Sequence, residues 1–156
     1  MAFLNVGDCV LHYLAEGSAD KPALVFSNSL GSDLRIWDAM APQFAKDFRV
    51  IRYDTRGHGL SEAPPPSYSA GDLARDVVGL LDRLGIKEAV VCGLSVGGVI
   101  AQQLAIAVSG SRARADTLRY KRADRHSRQL GRAHRDGHGA WTRRVSGAFD
   151  GTLVHR

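Results

Sequence analysis

At 156 residues with 44% hydrophobic positions, the chain is long enough for one domain with a buried core and requires no second one. Its net charge of +5 is unevenly held, since residues 1–106 carry nine Lys and Arg against twelve Asp and Glu (net −3) and residues 107–156 carry twelve against four (net +8), so the basicity implies no nucleic-acid partner for the first two thirds. Two cysteines, Cys9 and Cys92, without metal-like spacing suit a reduced cytoplasmic protein, and with no run of about 18 apolar residues and no basic-then-apolar leader, neither a membrane span nor a signal peptide is expected.

Phe3 to Val6 and Cys9 to Leu14 read as two short strands joined by the turn pair Gly7-Asp8, which predicts a hairpin. Ala23 to Ser27 is an apolar strand that runs into the polar loop Asn28-Ser29-Leu30-Gly31, and a helix-like stretch follows from Ile36 to Phe44. In open α/β sheets ligands bind at the carboxyl ends of strands, so a backbone amide of this loop can serve as an oxyanion donor. Arg49 to Tyr53 is the next strand. The segment Asp54 to Ser61 that follows it is too rich in turn residues for regular structure. Pro64-Pro65-Pro66 is a stiff connector, Ser69 with Asp72 reads as a capping box, and Leu73, Val77, Leu80, Leu81 and Leu84 recur at helical spacing until Gly85 ends the helix.

Ala89 to Ile106 carries the sharpest signal in the chain. A short Val-rich strand is followed by Gly93-Leu94-Ser95-Val96-Gly97 and then by a helical pattern, the strand, turn and helix context of a nucleophile elbow. So tight a turn strains the backbone at the serine and leaves no room for side chains at the flanking glycines. The helix begins directly behind Ser95, so its positive dipole end and the amide of Val96 face any negative charge developing on a carbonyl attacked there. His58 precedes this serine, whereas elbow architectures place acid and histidine after it, so a structural hydrogen-bonding role is expected for His58 rather than catalysis. The element order predicts an α/β fold, an antiparallel hairpin leading into a parallel sheet with crossover helices.

Three segments, Leu24 to Trp37, Val50 to Ser61 and Val90 to Ala105, resemble the α/β-hydrolase superfamily in order and interval, and Ser27-Asn28-Ser29-Leu30-Gly31 with Arg52 to Ser61 resembles its 3-oxoadipate enol-lactonase branch. The resemblance covers about residues 3–106. It implies a partial α/β-hydrolase core over 1–106 and a serine hydrolase that opens a small enol-lactone or ester in aromatic catabolism. Ser95 would be the nucleophile, the Leu30 and Val96 amides the oxyanion hole, a histidine the base and an acidic residue its orienter. Neither a metal nor an organic cofactor is implied, and the oligomeric state is left open.

After Ile106 the pattern stops. Residues 107–156 contain eleven Arg and no Glu, Ile, Asn, Pro, Met or Cys, and their large apolar positions, Val108, Leu118, Leu130, Val145, Phe149, Leu153 and Val154, follow neither strand nor helix spacing. An irregular or disordered C-terminal third is therefore expected. Three origins are open: a reading-frame shift near Ala107, since one synonymous coding of residues 115–143 displaced by one base reads like the family's next strand and helix; a basic tail for nucleic acid or an acidic partner; or an extension with no role. His126, His134, His138, His155, Asp116, Asp124, Asp136 and Asp150 are the available partners for Ser95, and none follows a recognisable strand. The triad acid and base stay unassigned, and impaired activity is expected. The rival reading is a binding protein that uses a hydrolase-like scaffold and the basic tail.

Overall fold

The computed structural model describes residues 2–110. The readings made on residues 111–156, including the eight His and Asp candidates above and the irregular C-terminal third, lie outside the described residues.

Five strands make one sheet in the order β1-β2-β4-β3-β5, where β1 is Ala2–Asn5, β2 Val10–Glu16, β3 Ala23–Ser27, β4 Arg49–Tyr53 and β5 Ala89–Gly93. β1, β2 and β4 pair antiparallel, and β4, β3 and β5 pair parallel. The sheet thus begins as the expected hairpin and continues as the expected parallel core. The register sets Val25 beside Ile51 on one side and Val91 on the other. All five residues of β3 are buried, as an unbroken apolar run in a strand covered on both faces requires.

One face is covered by α2 (Ala70–Arg83) and α3 (Val96–Gly110). Ala74, Val77, Leu80 and Leu81 of α2 and Ile100, Ala101 and Leu104 of α3 close over Leu11, Val25, Ile51, Tyr53 and Val91. The Ser69–Asp72 capping box starts α2, with Ser69 Oγ accepting from the Asp72 amide and Asp72 Oδ2 accepting from the Ser69 amide. Gly85, in the left-handed region at φ 67°, ends it. α3 runs four residues past the composition break at Ala107, because Ala107, Val108 and Ser109 still permit helix.

The opposite face departs from expectation. The stretch Ile36 to Phe44 is not one helix but a single 3-10 turn, Leu34–Trp37, followed by a four-residue α1, Ala41–Phe44. Pro42 is the reason. It lacks an N–H, and inside a continuous helix its ring would strike the carbonyl four residues back, so it is accommodated only in the first turn of a new helix. The two pieces still bury their aromatics: Phe26 stacks on Trp37 with centroids 4.6 Å apart and meets Phe44 edge-on at 5.7 Å.

Candidate functional site

The carboxyl ends of β3, β4 and β5 lie side by side, and the loops leaving them form one rim. β5 ends at Gly93, α3 starts at Val96, and Ser95 between them is the one described non-glycine residue with positive φ, at 56°. The left-handed region costs an L-residue about 1–2 kcal/mol, and such strain persists only where surroundings impose it. Here they are visible. The Leu94 amide donates to the Ser27 carbonyl at 3.1 Å, pinning the elbow to the end of β3, while the Gly97 amide donates to Leu94 O at 3.0 Å and the Gly98 amide to Ser95 O at 2.8 Å. A Cβ on Gly93 would fall inside the Gly97 carbonyl, and one on Gly97 inside the carbonyls of Ser27 and Asn28. Both glycines of the G-x-S-x-G are therefore steric requirements.

The strain is separable from the side chain's chemistry. Ser95→Gly is expected to gain about 0.5–1 kcal/mol of stability, the left-handed cost of about 1–2 kcal/mol less the glycine entropy of about 0.5–1 kcal/mol. Denaturant midpoints of the two proteins check it; a less stable Ser95→Gly would mean that the hydroxyl, not the backbone, dominates the local energy.

Ser95 is exposed. Val96, as the first residue of α3, has no intrahelical acceptor for its N–H, which lies at the positive end of the helix. Leu30 lies on the loop after β3, exposed and followed by Gly31 at φ 72°. That loop is anchored at both ends. The buried Asn28 side chain donates to the Tyr53 carbonyl and accepts from Trp37 Nε1, each at 2.8 Å. Ser32 donates to Ser29 O through both its amide, at 3.2 Å, and its hydroxyl, at 2.7 Å.

The third loop follows β4. Asp54 is 1% exposed, and its carboxylate accepts three hydrogen bonds: from the Leu34 amide at 2.7 Å, the Leu60 amide at 2.9 Å and His12 Nδ1 at 2.7 Å. Arg56 turns the other way, forking onto Asp76 of α2 at 2.6 and 2.7 Å and reaching Asp8 at 2.9 Å, with the Tyr68 ring 5.4 Å away. The hydrogen bond from Arg56 holds the exposed Asp8 carboxyl below its usual range. His58 Nδ1 faces the Arg56 carbonyl at 3.1 Å, within its own turn, which is the structural role expected of it. Ser95 and Val96 adjoin at the elbow and Leu30 sits on the loop after β3, while among the described residues no side chain bonds Ser95 Oγ.

Cys92 of β5 and Tyr53 of β4 both stay protonated near neutral pH. Burial pushes the Cys92 thiol and the Tyr53 hydroxyl each up to about 12, so neither offers an anion there, and Tyr53 instead hydrogen bonds with Ser27 Oγ at 2.8 Å. No three His, Cys, Asp or Glu side chains converge as metal ligands among the described residues, and no described helix is long and apolar enough to cross a membrane. Sequence reasoning missed the His12–Asp54 and Arg56–Asp76 pairs. The only trace of the first is a histidine at a strand position whose neighbours are apolar.

Residues 22–115 match the family described as having the alpha/beta hydrolase fold. The chain is 48% identical over 103 residues to 3-oxoadipate enol-lactonase 2 of Acinetobacter baylyi, a match covering 66% of this chain and 39% of that protein. Among solved structures, it is 42% identical to a hydrolase from Pseudomonas aeruginosa, with a TM-score of 0.68 over 76% of this chain and 43% of that one. It is likewise 42% identical to the enol-lactonase from Burkholderia xenovorans, with a TM-score of 0.65 over 75% of this chain and 44% of that one. The chain thus spans well under half the length of these relatives.

Proposed function

The chain belongs to the alpha/beta hydrolase family, and on that premise we propose that it is a serine hydrolase whose substrate is a small enol-lactone of the 3-oxoadipate type. The observation that carries this reading is the left-handed backbone at the exposed Ser95 between a strand and a helix, a strained conformation that sets the residue directly before the helix's free amides. The similarity to two enol-lactonases supports the substrate class.

In this reaction Ser95 Oγ attacks the lactone carbonyl and opens the ring to an acyl-enzyme, while a base takes the hydroxyl proton and returns it to the enolate leaving group. The Leu30 and Val96 amides receive the carbonyl oxygen as its charge grows, one such donor being worth about 2.7–4 kcal/mol. Water activated by the same base then releases the acid. The serine supplies the nucleophile, so no cofactor is required, and two reduced thiols fit a cytoplasmic setting.

We further propose that turnover is weak. Residues 107–156 place no His or Asp after a recognisable strand, and an elbow without base and orienter retains only the binding and oxyanion contributions, about 10³ to 10⁴ over water where a protease triad was removed. With purified full-length protein, a fluorophosphonate is expected to label one site slowly, with p-nitrophenyl ester and enol-lactone turnover far below the about 10 s⁻¹ of a median enzyme. Both signals are expected to vanish in Ser95→Ala. Labelling that persists in Ser95→Ala would defeat the assignment, and brisk turnover lost in Ser95→Ala would show that the tail supplies a base.

The net charge of +8 on residues 107–156 favours a second reading, a scaffold that binds nucleic acid or an acidic surface. DNA binding that falls steeply with salt and disappears on removal of those residues would support it.

A further inference from the structure

The Asp54 carboxylate is engaged with more partners than its own loop requires. It sits at the end of β4, with β3 between it and β5, yet its Oδ1 accepts from the Leu34 amide, the last link of the loop that carries Leu30. Its Oδ2 accepts from the Leu60 amide and from His12 Nδ1. The neighbouring chain is shaped to leave it there. A Cβ on Gly59, at φ 53°, would land on the Asp54 carboxylate, so the loop after β4 closes directly over it. His12 is locked in turn: its carbonyl accepts from the Asp54 amide at 2.9 Å and its amide donates to Ser61 Oγ at 2.9 Å, while the Ser61 hydroxyl donates to Asp54 O at 2.6 Å. Phe3 covers the imidazole, with ring centroids 5.2 Å apart.

The far side of His12 fixes the proton. Nε2 is buried and meets no partner among the described residues. A buried lone pair without a partner costs less than a buried N–H without one, so the ring carries its hydrogen on Nδ1 and donates it to Asp54. The pair therefore has a direction: β2 donates through His12, Asp54 accepts, and the remaining acceptor capacity of the carboxylate is aimed at Leu34 and Leu60.

We propose that Asp54, keyed by His12, is a positioning residue for the oxyanion side of the site, fixing the segment from Asn28 to Leu34 so that the Leu30 amide faces the elbow. This rests on the hydrolase reading given above. The middle of that segment has a left-handed glycine and exposed Leu30, so its placement depends on its anchors: Asn28 at one end, the Ser29–Ser32 turn, and Leu34 on Asp54 at the other. Losing the last anchor frees the apex without touching Ser95.

Asp54→Asn tests this because a single amide oxygen cannot serve three donors. With that oxygen on Leu34, the amide nitrogen faces the Leu60 N–H and His12, so His12 must turn acceptor at Nδ1 and carry its hydrogen on a partnerless Nε2. Nitrogen-15 spectra of the full chain are expected to show the His12 ring signals exchanging character, the Leu60 amide losing protection by at least about tenfold, and the Leu30 resonance moving while the amides of α2 keep their protection. His12→Asn, whose side-chain N–H reproduces the Nδ1 donor, is expected to keep the Leu30 and Leu60 signals of the wild type, whereas His12→Leu is expected to shift them. On the reaction itself, Asp54→Asn and His12→Leu are each expected to slow fluorophosphonate labelling of Ser95 about tenfold, with His12→Asn within about twofold of wild type. Unmoved Leu30 and Leu60 amides in Asp54→Asn, or His12→Leu indistinguishable from His12→Asn, would overturn the proposal. Should wild type leave Ser95 unlabelled, the hydrolase reading falls, and the amide signals alone still decide the role of Asp54.

Discussion

Gly97→Ala is expected to cost the fold on the order of 3 kcal/mol and to abolish the reaction of Ser95 with a fluorophosphonate, although it adds one methyl group to a helix. The added Cβ would fall inside the carbonyls of Ser27 and Asn28, which are backbone atoms and cannot rotate away. Nor can the end of β3 shift as a unit. Ser27 Oγ is hydrogen bonded to the Tyr53 hydroxyl, and Asn28 is held by the Tyr53 carbonyl and Trp37, so relief would have to come from the elbow. Moving the elbow breaks the bond from the Leu94 amide to Ser27 and turns the Val96 amide away from Ser95. The next glycine is the control. A Cβ on Gly98 would meet the Gly93 carbonyl at an ordinary 3.5 Å, so Gly98→Ala is expected to leave stability within about 1 kcal/mol, offset by its better helix propensity. Thermal or denaturant unfolding of both variants checks the contrast, and equal stability of the two would refute the steric account.

The elbow was legible in the sequence because everything that makes it is local. Two glycines, a serine, a Val-rich strand before and a helical pattern behind occupy fewer than twenty consecutive residues, and steric exclusion leaves them little choice. The capping box of α2 was legible for the same reason, since Ser69 and Asp72 satisfy one another within a single turn. The stretch from Ile36 to Phe44 misled because its apolar spacing is helical while Pro42, one residue inside it, forbids the continuous hydrogen bonding that the spacing suggests. The buried polar pairs were invisible for a different reason. His12 and Asp54 are 42 residues apart and Arg56 and Asp76 are 20 apart, and neither pair leaves a periodicity. A histidine in an apolar strand and an arginine in a glycine-rich turn carry no mark in the sequence of the partners that the fold brings beside them.

The second large effect belongs to the Arg56–Asp76 pair, and it falls on stability. Arg56 and Asp76 are both nearly fully buried, at 5% and 2% exposure, and their fork joins the loop after β4 to the first turns of α2. The pairing holds the guanidinium more firmly protonated than usual, with the Asp76 hydrogen bond as the largest cause. Removing one partner strands the other charge out of water, so Asp76→Ala is expected to destabilise the chain by about 3–5 kcal/mol. Asp8→Ala is expected to cost far less than Asp76→Ala, because Asp8, although it touches the same guanidinium, is largely exposed and water replaces it. The attraction in the buried pair is offset by the desolvation of both ions, so the double variant Arg56→Met/Asp76→Leu is expected to recover most of what Asp76→Ala loses. Denaturant unfolding of the three variants separates the possibilities: if Asp76→Ala and Asp8→Ala lose the same amount, the guanidinium is held by water rather than by the fork. The loop after β4 then has a division of labour, in which the buried Arg56 secures it to the helix layer while Asp54, two residues earlier, bonds Leu34, Leu60 and His12.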